Sequence, residues 1–199
     1  MKLLIIEGGD QLGKSSLIKG LCEHFNYDNV TIRHFGKPPK DLTSQKALSF
    51  QIECFHEEID LYKAFRRKSW SKHNYFPNKL IWNRSHLGEY VYGQMFRGVK
   101  KEILLHVLEN FERHALHCLI NNDIYLITLT ADPEFFHSKE DGNSFSNNIE
   151  DKTKELELFK EIHNFSLIRN KCLIKVDDQF GEFRPKEAIL NEVIYFINE

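Results

Sequence analysis

Lys2-Leu3-Leu4-Ile5-Ile6-Glu7-Gly8-Gly9-Asp10-Gln11-Leu12-Gly13-Lys14-Ser15-Ser16 opens the chain, and the rest of it is read outward from there. Gly8 through Ser15 satisfies the phosphate-loop pattern G-x-x-x-x-G-K-[ST]. The apolar run Lys2–Ile6 before it predicts a buried parallel strand. After it, Leu17, Leu21 and Phe25 recur at helical spacing. A polyphosphate brings several negative charges that must be held without a side chain for each oxygen. Glycines let successive backbone N–H groups turn inward, and the following helix adds the positive end of its dipole. Gly8, Gly9, Asp10, Gln11, Leu12, Gly13, Lys14, Ser15 and Ser16 are therefore expected to bind ATP. Lys14 is expected on the β- and γ-phosphates, and the Ser15 hydroxyl on Mg²⁺.

A chain of 199 residues fits one domain with a sizeable core, and sixteen phenylalanines argue for packing rather than disorder. The 27 basic and 29 acidic residues leave a net charge of −2, which speaks against a broad nucleic-acid footprint. Cys22, Cys54, Cys118 and Cys172 form no C-x-x-C pair and read as reduced, mostly core residues of a cytoplasmic protein. The N-terminal apolar run stops at Glu7, too early for an export signal, and no stretch reaches the ~18 apolar residues of a membrane span.

Taken in order, Val30–Phe35 predicts a second strand and Gly36-Lys37-Pro38-Pro39-Lys40 its stop. A helix is expected from about Ser44 to Lys68, a strand over Lys79–Trp82, then a helix carrying Tyr90, Tyr92 and Phe96. Further on come a helix over Lys101–Asn121, a strand over Asp123–Thr130, a helix over Ile149–Arg169, a strand over Cys172–Val176 and a helix over Pro185–Ile197. Ser138–Asn148, rich in Ser, Asn, Gly and charge, reads as a mobile surface segment. Five strands alternating with helices predict an α/β fold: a three-layer phosphate-loop NTPase domain with a mainly parallel sheet and helices on both faces. In such sheets ligands sit outside the carboxyl ends of the strands, where the loop and Asn83-Arg84-Ser85 both fall.

At this point the sequence resembles the thymidylate kinase family of nucleoside monophosphate kinases, in particular its viral and phage-type members. Glu7–Ser15 is similar to that family's E-G-x-D-G-x-G-K-S/T loop. Trp82–Gly93, closing with Phe96-Arg97-Gly98, is similar to its D-R-x motif and the segment after that motif, and Thr130–Glu134 to the turn before its lid. The resemblance spans nearly the whole chain. It implies one domain over residues 1–199 with a lid at about 138–151, a cytoplasmic enzyme (host cytoplasm if viral) and a homodimer. It implies Arg84 on the acceptor's 5′-phosphate, Asp10 near its sugar, and Tyr92 and Arg97 lining the acceptor side; Lys14, Arg84 and Asp10 form the catalytic set. The expected reaction is transfer of the γ-phosphoryl of ATP to a (deoxy)nucleoside 5′-monophosphate, with dTMP the first expectation.

Two departures matter. Asn83 stands where the family has Asp, so a charge near the metal is lost, with Glu7 or Asp10 as substitutes. The lid is poor in arginine: Ser138–Asp151 holds only Lys139, with Lys152 and Lys154 beyond it. Asn83 also bears on the acceptor, because a nucleoside hydroxyl needs a carboxylate base and an amide cannot serve. A nucleoside kinase using Asp10 as base, and a nucleotide-binding regulatory module with decayed catalytic parts, remain the alternatives. Tyr92, Phe50, Phe55 and Phe65 fit the core as well as a site, Arg66-Arg67-Lys68 fits a solvated helix end, and Asp177-Asp178 a solvated turn.

Overall fold

A computed structural model describes residues 2–69 (side chains to 64), 79–119, 123–140, 142, 144 and 146–198 of the chain. The opening run forms β1 (Lys2–Glu7), and its alternation assigns each residue to a layer. Leu3 and Ile5 point into one core, shared with α2 (Ser44–Ser69), α3 (His86–Arg97), α4 (Lys101–Cys118) and α6 (Ile149–Phe165). Leu4 and Ile6 point into the other, shared with α1 (Lys14–Phe25) and α7 (Lys186–Asn198). Both faces of β1 are apolar because both are covered, as a parallel sheet requires.

The other strands are β2 (Val30–His34), β3 (Lys79–Asn83), β4 (Ile124–Thr130) and β5 (Asn170–Lys175). They lie in the order β2-β3-β1-β4-β5, and every pairing is parallel. This makes an α/β phosphate-loop kinase-like fold, fully rather than mainly parallel. Because the strands run one way, their carboxyl ends form one edge. Ile6 is in register with Asn83, and Glu7 with Thr128. The phosphate loop and the Asn83-Arg84-Ser85 turn are thus neighbours.

Five expectations need correction. Ala131-Asp132-Pro133-Glu134 does break the strand, but it also starts a short helix, α5 (Pro133–Ser138), which buries Phe135 and Phe136. Pro133 begins it, where a missing N–H costs nothing. The Ser138–Asn148 stretch is not wholly a surface segment, since Ser146 is buried. Asp177 is no solvated turn: it is buried, and its carboxylate accepts the Asp132 N–H at 3.2 Å. Of the cysteines only Cys22 is fully buried. Ile103, expected on the apolar face of α4, is exposed. Ile120 and Asn121, and the side chains of Phe65 and Arg66-Arg67-Lys68, lie outside the described residues.

Candidate active site

The phosphate loop is built from backbone. Gly8 has φ 129°, Gln11 φ 65° and Gly13 φ 83°, a path that keeps the chain turning around a central space. Close packing fixes two of the glycines. A Cβ on Gly8 would lie 2.5 Å from the Leu129 carbonyl oxygen, and one on Gly9 would lie 2.4 Å from the Phe136 ring. Gly13 offers α1 no side-chain cap, so the first N–H groups of that helix are left for an anion. Ser15 and Ser16 are exposed at this helix start, and Leu12 is buried beneath it.

Lys14 is 7% exposed and folds back over its own loop, donating to the Gly8 carbonyl at 2.8 Å and the Gly9 carbonyl at 2.6 Å. Burial pulls its pKa down to about 8; Asp10 opposes the shift and Arg84 adds to it. An ammonium held by two neutral carbonyls is readily handed to phosphate oxygens.

Across the edge, Arg84 sits in the left-handed region at φ 67°, with its N–H bonded to the Ile6 carbonyl at 3.0 Å. Strain of this kind in a non-glycine residue concentrates at functional sites. Ser85 then caps α3, accepting the Leu87 N–H, and donates its hydroxyl to Glu7 Oε1 at 2.5 Å. The Arg84 guanidinium donates to Asp10 Oδ1, and Lys14 Nζ stands 3.8 Å from that same oxygen. One carboxylate oxygen therefore holds the loop lysine and the turn arginine together.

The remaining expected residues gather on a narrow cleft lined by Arg84, Tyr92 and Arg97. Tyr92 is buried and donates its hydroxyl to Glu155 Oε1 at 2.9 Å. Burial, reinforced by Glu155, pushes the phenol well above its usual range. Arg97 donates to Glu89, whose carboxyl burial raises to about 7 against the pull of Arg97. A larger pocket, about 330 Å³, runs from Leu12, Gly13 and Ser16 along α1 to Phe183 and Arg184.

Glu155 and Gln51 escaped the sequence pattern, whereas Lys152 was met there as a lysine just beyond the lid. Glu155 lies close enough to Gly9 that an added Cβ would come within 3.0 Å of it, and burial raises its pKa against bonds from Ser146 and Tyr92. Lys152 is fully buried, pairs with Glu140 at 2.5 Å and lies 4.1 Å over the Phe136 ring. That lysine pulls Glu140 down to about 2. Gln51 lines the same cleft as Arg84, Tyr92 and Arg97 and bonds the Gly36 carbonyl at 3.0 Å. The one signal for these was the i, i+3 pairing of Lys152 and Glu155 on α6, hidden in a helix of alternating charge.

Fold and site together define a phosphate-loop kinase-like protein. No family model matches the chain, and no curated protein matches it in sequence. Solved structures do match its fold. The YorR protein of Bacillus subtilis, in complex with phosphorylated GDP, is similar over 99% of this chain and 96% of its own, at 17% identity and TM-score 0.60. Thymidylate kinase from Ehrlichia chaffeensis is similar over 98% and 97%, at 14% identity and TM-score 0.62. That of Candida albicans is similar over 99% and 91%, at 17% identity and TM-score 0.58. At such identities the likeness is one of fold. Among the described residues no helix is long and apolar enough to cross a membrane.

Proposed function

We propose that the chain is an ATP-dependent phosphotransferase acting on a (deoxy)nucleoside 5′-monophosphate to give the diphosphate. The observation that carries this reading is the shared Asp10 oxygen, which holds Lys14 of the phosphate loop and Arg84 of the β3–α3 turn about one point. Two cations from the two sides of the strand edge then flank the place where a phosphoryl group would change hands. The solved structures of similar fold point the same way: two are thymidylate kinases and one carries a guanine nucleotide.

In this mechanism the loop N–H groups and the start of α1 hold the triphosphate, and Lys14 leaves the Gly8 and Gly9 carbonyls to neutralise charge developing on its outer phosphates. Arg84 exchanges Asp10 for the acceptor phosphate, where its fork makes parallel charge-assisted bonds. Asp10, freed, faces the acceptor sugar beside Tyr92. Ser15, with the buried and unpartnered oxygens Glu7 Oε2 and Asn83 Oδ1 at the same edge, suits a hydrated Mg²⁺. That ion would supply neutralisation of phosphate charge. An amide at 83 keeps an oxygen ligand while giving up the charge of a carboxylate.

The segment from Ser138 to Asp151 closes over the site and keeps water from competing for the phosphoryl group. With no arginine in that stretch, Lys152 is the cation best placed to follow, since it packs over the Phe136 ring that abuts Gly9. A monophosphate acceptor is already anionic and needs alignment rather than a base. Asn83, at the end of β3, offers an amide where a nucleoside hydroxyl would need a base, which weighs against the nucleoside alternative. The test is ATP consumption with Mg²⁺ against a panel of nucleosides and monophosphates, following ADP and product. Turnover of nucleosides alone would overturn the acceptor, and ATP binding with no product would favour the decayed module.

A further inference from the structure

We propose that Glu89 and Arg97 read the base of the acceptor and select guanine. The inference rests on the reading of this pocket as the acceptor site. Arg84 marks its phosphate end at the start of α3, so the base falls further along that helix. There Glu89 and Arg97 line the pocket, opposite Phe35, Gln51 and Phe55.

The pair is built unlike a structural ion pair. The Glu89 and Arg97 side chains are only 9% and 17% exposed, and desolvating two charges offsets most of their attraction. Arg97 Nε is nevertheless buried with no hydrogen-bond partner among the described residues. That leaves the guanidinium a donor to offer a ligand. Burial has also raised the Glu89 carboxyl, so donors arriving from a ligand would restore bonds its ionised form lacks.

The chemistry of the pair selects among bases. A carboxylate only accepts and a guanidinium only donates. Guanine presents two N–H donors side by side, on N1 and N2, next to the O6 acceptor, and so complements both. Thymine and uracil present one N–H between two carbonyls, and the second carbonyl repels the carboxylate. Adenine and cytosine turn a ring lone pair toward it. The half-buried Phe35 ring, packed on the buried Phe55 with centroids 4.4 Å apart and planes tilted by 49°, gives that side of the pocket an apolar ring for a base to rest against.

The test is calorimetric binding of dGMP, dTMP, dAMP and dCMP to the whole chain and to Glu89→Gln, without ATP, so that no catalytic step enters. The expected result is dGMP bound at least ~10-fold more tightly than dTMP, with most of that margin lost in Glu89→Gln, whose amide offers one donor and one acceptor. Glu89→Asp, which keeps the charge, should retain part of the preference and controls for misfolding. Equal or tighter binding of dTMP by the unaltered chain, or a guanine preference untouched in Glu89→Gln, overturns the inference. Guanine preference in binding without turnover of any monophosphate would leave this inference standing and defeat the proposed reaction. Turnover without guanine preference would do the reverse, and no monophosphate binding at all would defeat both.

Discussion

The two sides of the strand edge are made of different material. On the donor side the phosphate loop is backbone: two glycines against neighbouring atoms, a left-handed path, and a lysine resting on carbonyls. On the proposed acceptor side the groups are side chains closed on one another: Arg84 on Asp10, Arg97 on Glu89, Tyr92 on Glu155, Lys152 on Glu140. The donor side is set before its ligand arrives. The acceptor side must trade internal partners for ligand, which makes its affinity a difference between two sets of bonds.

The sharpest test of this contrast is Lys14→Ala. Turnover should fall about a thousandfold while the fold persists, because the lysine supplies transition-state charge and its lost partners are two carbonyls. Steady-state ADP release and a thermal melt measure the two parts. Gly8→Ala strikes the donor backbone itself. A methyl group facing the Leu129 carbonyl at a positive φ should cost about 3 kcal/mol in a denaturant titration.

Arg84→Ala should weaken the acceptor monophosphate by ~1–3 kcal/mol and leave ATP affinity nearly unchanged. Unchanged acceptor affinity would erase the division between the sides. The Lys14 ammonium adds a pH dependence with a definite sign. Its pKa in the empty site is about 8, and only the protonated form attracts the triphosphate, so kcat/KM for ATP should decline as pH rises through about 8. Saturation with ATP should move that limb upward. The smallest effect is Tyr92→Phe, which frees Glu155 from one bond; acceptor binding should shift by ~1 kcal/mol, read by calorimetry.

The same contrast explains what could be read from the chain alone. Gly8–Ser15 is contiguous and backbone-driven, so its spacing carried its geometry. The strands around it were legible because both faces of each central one are apolar. The acceptor partners are far apart in sequence, and each looks ordinary in place. Glu155 and Lys152 belong to Glu150-Asp151-Lys152-Thr153-Lys154-Glu155, a run any solvated helix could display; only the packing of α5 and its loop buries two of its members. Glu89 sits in a helix whose first eight residues are all buried, a fact the tyrosines around it did not disclose. Arg84 and Asp10 were each singled out from the sequence, but their mutual bond was not.

The position of β1 has a consequence for how the chain comes into being. The strand that carries the phosphate loop is made first, yet it lies in the middle of the sheet, and its neighbours start only at Lys79 and Ile124. The carbonyl that walls Gly8 belongs to Leu129, and Lys2 is held by the Ile197 carbonyl in the last helix. A nascent chain therefore carries this apolar strand unpaired until Lys79–Asn83 has been made, and with one edge open until Ile124–Thr130 follows, a slow-closing, aggregation-exposed topology. The loop that Leu129 walls is not finished until that later strand has emerged.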